Sequence, residues 1–243
     1  MEEVLRPENF CVSYTGERES LDVVKAQAAG IKKVLFNGQK PEPVKQAPCI
    51  KKNEAFKTSG QVQYVAQNGN FRKKGLEYTG ALEILKVILS YDYLWINLRV
   101  KGGAYGCMSG FKRNGESFLV SYRDPHLKRT LEVYQGVPDY IRAFEADERE
   151  MTKYIIGTIS NKDVPRTPQM QGSISKTAYF SNVTEDMLQK ERNQILGAQK
   201  EDIQKLAALV EAVLSDDQIC VVGSETAIEK AEDVFMEVKP LIG

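Results

Sequence analysis

Apolar positions recur along this chain at two spacings, and the changes between them mark out its elements. Leu21, Val24, Ala28, Ile31 and Leu35 recur at helical spacing, after a short β-prone run, Phe10 to Tyr14, and a Thr15-Gly16 turn. Val62, Tyr64 and Ala66 alternate with glutamines, the pattern of a strand buried on one face. Over 79–100 the pattern returns to helical. Leu82, Leu85 and Leu89 form one stripe, and Leu94 with Leu98 forms another, with a break expected near Ser90 to Asp92. Lys101 and Gly102 supply a helix stop.

Asn114-Gly115 then divides two β-prone runs, Ala104 to Arg113 and Glu116 to Asp124. That dipeptide favours a two-residue type I′ hairpin, because both of its positions take positive φ. The implied register pairs Arg113 with Glu116, Phe111 with Phe118, Ser109 with Val120 and Cys107 with Tyr122, and leaves Tyr105 beside Asp124.

Helical patterns dominate afterwards. One helix is expected from Asp124 to about Gly136, and another after Pro138. A capping box, Asp147 to Glu150, precedes Met151, Tyr154, Ile155 and Ile159. Pro165, Pro168 and Gly172 make 161–173 read as a loop. Helices near 184–196 and 200–214 lead to a strand, Gln218 to Val222, and a last helix capped by Ser224. Residues 37–48 carry three prolines and read as a linker. The strand–turn–helix pattern before that linker echoes the one at 218–224. Residues 1–44 are therefore expected to be a remnant of a preceding, similar domain plus a linker, with 45–243 as the main domain.

Charge and composition narrow the function. Lys+Arg and Asp+Glu are both 33, which argues against nucleic acid as a partner. No segment has the roughly 18 apolar residues of a membrane span, so no membrane partner is expected. Cys11, Cys49, Cys107 and Cys220 form no C-x-x-C pair and read as buried free thiols of a cytoplasmic protein. His126 is the single histidine, so this chain is expected to bind no metal or other cofactor on its own. Its place after Asp124-Pro125 reads as the first turn of a helix.

The stretch from Leu98 to Gly110, LRVKGGAYGCMSG, sets an arginine and a tyrosine six residues apart around two glycines. By spacing alone it is a helix stop followed by a hairpin, with Tyr105 in the core and Arg99 as a solvated last-turn cation. It is not a phosphate loop, since phosphate favours the opposite end of a helix.

The eight residues Arg99 to Gly106, RVKGGAYG, resemble the signature in the C-terminal half of the presequence protease and falcilysin branch of the inverzincin zinc peptidases, relatives of insulysin and pitrilysin. Asn53 to Ala66 is similar to the opening strands of that family's last domain. Ser121 to Pro125 is similar to the exit from its hairpin, and the likeness covers roughly residues 45–243. It implies an α+β, mitochondrial-processing-peptidase-like fold, a mainly antiparallel sheet packed against several helices.

It also implies a role. In that family two halves close around a chamber. The first half carries H-x-x-E-H and the zinc; the last domain lends an arginine and a tyrosine to the substrate backbone. By motif position those are Arg99, as a backbone clamp, and Tyr105, as a donor to the carbonyl oxygen that gains charge. Gly102 and Gly103 would let a peptide approach closely. This chain contains no H-x-x-E-H. The implied function is the substrate-binding C-terminal domain of an intracellular zinc metalloendopeptidase, its partners a peptide and the N-terminal zinc-binding half. The alternative is a catalytically inert structural or partner-binding module of the same fold.

Overall fold

Six strands make one sheet, in the order β3-β4-β2-β5-β1-β6. They are β1 (Glu54–Thr58), β2 (Gln63–Asn70), β3 (Gly106–Phe111), β4 (Glu116–Asp124), β5 (Gln218–Ser224) and β6 (Glu237–Pro240). Pairing is antiparallel from β3 through β5; β1 runs parallel to both β5 and β6. The helices are α1 (Leu21–Val34), α2 (Ala81–Tyr91), α3 (Lys128–Gln135), α4 (Val137–Arg142), α5 (Glu148–Lys162), α6 (Pro168–Phe180), α7 (Glu185–Leu196), α8 (Lys200–Gln204), α9 (Ala207–Ser215) and α10 (Glu225–Glu229). This is an α+β fold, as expected. The structure, a computed structural model, describes residues 4–39, 42 and 50–242.

The chain divides into two units. One is Met1–Cys49 with Val164–Leu188; the other is Ile50–Asp163 with Gln189–Gly243 and holds the whole sheet. Within the first, α1 follows the expected helical spacing, but Phe10 to Tyr14 forms no strand. Propensity alone cannot make one, because a strand needs a neighbour to take its N–H and C=O groups. Residues 168–173 are helix rather than loop. Pro168 is the first residue of α6, where its missing N–H costs nothing, and the Thr167 side chain accepts the Met170 N–H at 3.3 Å. Most of the 37–48 linker lies outside the described residues.

In the larger unit helices cover one face of the sheet. Six residues of α2 are buried, Ala81, Leu82, Ile84, Leu85, Ile88 and Leu89, and α2 packs on β3. α9 is apolar nearly all round and packs on β2. The α2 helix ends at Tyr91 with Asp92 as its cap, which matches the expected break. The chain then re-enters helical form and widens to a π-helix over Trp95–Val100.

The hairpin is present, but its register is one residue off the expected one. Phe111 pairs with Ser117, Ser109 with Leu119 and Cys107 with Ser121. Gly115 alone takes a positive φ, +90°, and Asn114 does not. The turn is therefore a three-residue loop, Arg113 to Gly115. Lys112 C=O accepts the Gly115 N–H at 2.9 Å, and the Lys112 N–H donates to Glu116 C=O at 2.9 Å. One residue of slip exchanges faces. Ser109 and Phe111 point to the core; Met108 stands on the other side, opposite Val120.

β2 also reverses the expected sides. Gln63, Val65 and Gln67 are buried, whereas Tyr64 is exposed. Gln63 tolerates burial because its Oε1 accepts the Ser224 N–H at 2.7 Å. The face away from the helices thus carries Tyr64, Ala66, Met108, Val120, Tyr122 and Val222, around an open concavity of about 510 Å³.

Helix α3 begins at Lys128, four residues later than expected. Asp124 is instead the last residue of β4, and its carboxylate accepts the His126 N–H at 2.9 Å and the Thr130 hydroxyl at 2.7 Å. The 200–214 helix is two, α8 and α9. The capping box at Asp147 and Glu150 and the Ser224 cap form as expected. The thiols of Cys11, Cys107 and Cys220 are free but not buried as expected: Cys11 is exposed and the others are partly covered. Cys49 lies outside the described residues.

Candidate functional site

Arg99 and Tyr105 meet where the π-helix hands the chain to β3. The π-helical turn carries Trp95 and Arg99, and the guanidinium carbon stands 4.2 Å from the Trp95 ring centroid. Arg99 Nη1 donates to the Tyr105 carbonyl at 2.9 Å, and the guanidinium carbon lies 5.8 Å from the Tyr105 ring. A π-helical turn widens the helix and often marks a functional site; nothing in the sequence announced it.

Tyr105 is not the core aromatic that spacing alone suggests. It is 57% exposed. Its ring packs edge-on against Tyr122, centroids 5.5 Å apart, and its N–H donates to the Arg123 carbonyl at 3.3 Å. The Arg123 guanidinium carbon lies 5.8 Å from the same ring. Arg123 has φ +49°, a left-handed backbone that non-glycine residues seldom adopt. Trp95, Tyr122 and Arg123 are the neighbours that sequence reasoning missed. Tyr122 and Arg123 were legible only as hairpin positions, and the one-residue change of register brings Tyr122 opposite Gly106. A Cβ at Gly106 would fall into the Tyr122 ring, so the motif's last glycine gives that ring its place.

Gly102 and Gly103 have local reasons as well. Gly103 takes φ +78°, and this left-handed turn lets its N–H donate to Arg99 C=O while the Ala104 N–H donates to Leu98 C=O, both 2.9 Å. Gly102 is buried, and a Cβ there would fall onto the Leu98 carbonyl oxygen. Gly103 is exposed beside the site.

Burial pushes the Cys107 thiol up, and the Arg99 charge offsets this only in part. Asp124, the carboxylate that adjoins Arg123, is buried and committed to His126 and Thr130.

A catalytic zinc does not fit these residues. His126 is the only histidine, and among the described residues no three His, Cys, Asp or Glu side chains are grouped to hold a metal. Nor, among them, is any helix long and apolar enough to cross a membrane.

Comparison with known proteins identifies the family and the fold. Residues 53–225 match the family model described as PreP C-terminal domain. Over 234 residues the chain is 44% identical to Protein HypA of Clostridium perfringens, covering 96% of this chain and 24% of that protein. Over 192 residues it is 34% identical to presequence protease 1, chloroplastic/mitochondrial, of Arabidopsis thaliana, covering 77% and 18% respectively. The chain thus spans about a quarter or less of these relatives' length. Among solved structures, a peptidase M16 inactive domain from Pseudomonas fluorescens superposes with a TM-score of 0.56 at 18% identity, covering 92% of this chain and 52% of that one. Pitrilysin gives 0.51 at 17% identity, covering 82% and 23%. At such identities these two likenesses speak to the fold alone.

Proposed function

The chain belongs to the PreP C-terminal domain family, and from that premise we propose that it is the substrate-gripping half of a zinc metalloendopeptidase site. The observation that carries this reading is the Arg99–Tyr105 pair. Its phenol is exposed beside two guanidinium groups, at the edge of an open apolar sheet face. A phenol O–H donates to a peptide carbonyl oxygen more strongly as that oxygen gains charge, which is the differential binding that lowers a barrier. A guanidinium holds a neighbouring carbonyl and adds positive potential.

The rest of the site is proposed to come from an N-terminal half that binds the zinc, since among the described residues no group is placed to hold that ion. Peptide is the substrate, and the apolar side chains around Tyr64 and Tyr122 offer its residues a dry wall. Gly102 and Gly103 are proposed to leave room for its backbone. Residues 1–44 are proposed to belong to the domain that precedes this one. Free thiols at Cys11, Cys107 and Cys220 support a cytoplasmic setting.

Reconstitution tests the reading. The chain is combined with the N-terminal portion of the Clostridium relative that it does not cover, with zinc supplied, and cleavage of a quenched fluorescent peptide is followed. Cleavage that needs both parts and falls on Tyr105→Phe supports it. Cleavage indifferent to Tyr105, or supported by the N-terminal portion alone, would establish the inert-module alternative.

A further inference from the structure

We propose that Arg123 is a specificity residue that seats a carboxylate of the bound peptide beside Tyr105. The inference rests on the reading of Tyr105 as a substrate contact and adds the chemistry of what lies next to it.

Three observations carry it. First, Arg123 is held with φ +49° inside the last turn of β4, where asparagine or glycine would sit with less strain. Such strain persists where the surroundings over-determine it, and here the Arg123 carbonyl is occupied by the Tyr105 N–H. Second, the side chain is exposed, and its guanidinium carbon lies 5.8 Å from the Tyr105 ring, the same distance as that of Arg99. Third, among the described residues Arg99, Lys101 and Arg123 have no carboxylate within ion-pair distance. The adjoining carboxylate, Asp124, is buried and bonded to His126 and Thr130.

Arg113, in the turn at the opposite end of β4, shows what a structural arginine looks like in this fold, since it pairs with the buried Glu191. Arg123 has no such duty. A planar guanidinium with free donors beside an aromatic ring matches a carboxylate in two-point geometry. On a peptide that carboxylate is either the C-terminal α-carboxylate or an acidic side chain.

The test uses the chain as it stands and fluorescence anisotropy, so it needs no cleavage. Three dye-labelled apolar hexapeptides are compared: one with a free C-terminus, one with a carboxamide, and a carboxamide peptide with one internal glutamate. The wild-type chain should bind one of the two carboxylate peptides about tenfold more tightly than the neutral one at low salt. A free C-terminus preferred over the glutamate peptide identifies the α-carboxylate; the reverse identifies a side chain.

Arg123→Gly and Arg123→Asn should abolish the preference, so that the carboxylate peptide binds no more tightly than the neutral one. Both suit the left-handed backbone, so their melting temperatures should not fall. Arg123→Lys should keep part of the preference. A preference that survives Arg123→Asn, or equal binding of all three peptides by the wild-type chain, overturns the inference. The failure is distinguishable from failure of the cleavage reading, which is decided by Tyr105→Phe turnover in the reconstituted protein.

Discussion

Arg99 donates from Nη1 to the backbone carbonyl of Tyr105, 2.9 Å away, so the two candidate residues are mechanically joined before any peptide arrives. The bond holds the Tyr105 backbone where the chain enters β3, while the ring packs edge-on against Tyr122. In the proposed site Arg99 would therefore act twice, through its own charge and through the position of Tyr105.

Kinetics on the reconstituted protein should show that coupling. Tyr105→Phe keeps the ring against Tyr122 and removes one donor, so turnover should fall about a hundred- to a thousandfold, roughly 3–4 kcal/mol, with melting temperature unchanged. Arg99→Ala should lower turnover and also raise KM. Because Arg99 positions Tyr105, the double mutant should lose less than the sum of the two single losses. Strict additivity in a double-mutant cycle would refute the positioning role.

Glu191 offers a stability test remote from that site. Its side chain is 5% exposed and pairs with both Arg113 and Lys162, each 30% exposed. Glu191→Ala leaves two partly covered cations facing each other, and the loss expected is about 2–3 kcal/mol, reduced from the fully buried case because both cations can reach water. Arg113→Ala should cost less, since Lys162 still neutralises Glu191. Urea melts of the two variants check the order.

How much of this was readable beforehand differs from element to element. The stripe of α2, the capping box at Asp147 and the break at Asp92 depend on neighbours three or four residues away, and local pattern specifies them. The hairpin register could not be obtained that way. Asn-Gly serves both a two-residue turn and a three-residue loop with a left-handed glycine; the choice rests on strand pairing elsewhere. Burial of Gln63 in place of Tyr64 has a similar origin, because the amide that satisfies Gln63 belongs to Ser224, 161 residues away. Arg99, Tyr105 and the glycines stood out through the motif. Trp95 and Arg123 did not, since a π-turn and a strained φ leave no periodic signature.

Alkaline pH should destabilise the fold through buried phenols. Burial pushes Tyr134 and Tyr78 well above the ordinary tyrosine value of 10.0. Their neutral forms are favoured in the folded chain, so stability is intact below pH 10 and declines as pH rises past the unfolded value toward the folded one. Each contributes a slope of about 1.4 kcal/mol per pH unit in that window. Tyr134→Phe loses the hydrogen bond to the Val65 carbonyl, 3.2 Å, and should melt slightly lower at pH 7. Its decline from pH 10 to 11 should nevertheless be shallower than that of the wild-type chain. Parallel declines would mean that Tyr134 is not held neutral.

The two glycines of the motif can be separated by what replaces them. A methyl at Gly102 would collide with the Leu98 carbonyl of the π-helix, so Gly102→Ala should cost about 2–3 kcal/mol. At Gly103 the space is open, with Pro125 Cγ 3.5 Å from where a methyl would sit, and only φ +78° resists. Gly103→Ala should therefore cost roughly 1 kcal/mol, and Gly103→Asn less, since asparagine tolerates the left-handed region. If a peptide backbone passes close to Gly103, Gly103→Asn will raise KM for cleavage while its melting temperature stays near the wild-type value. Unchanged KM alongside unchanged stability would show that Gly103 serves the turn alone, and that the peptide keeps its distance there.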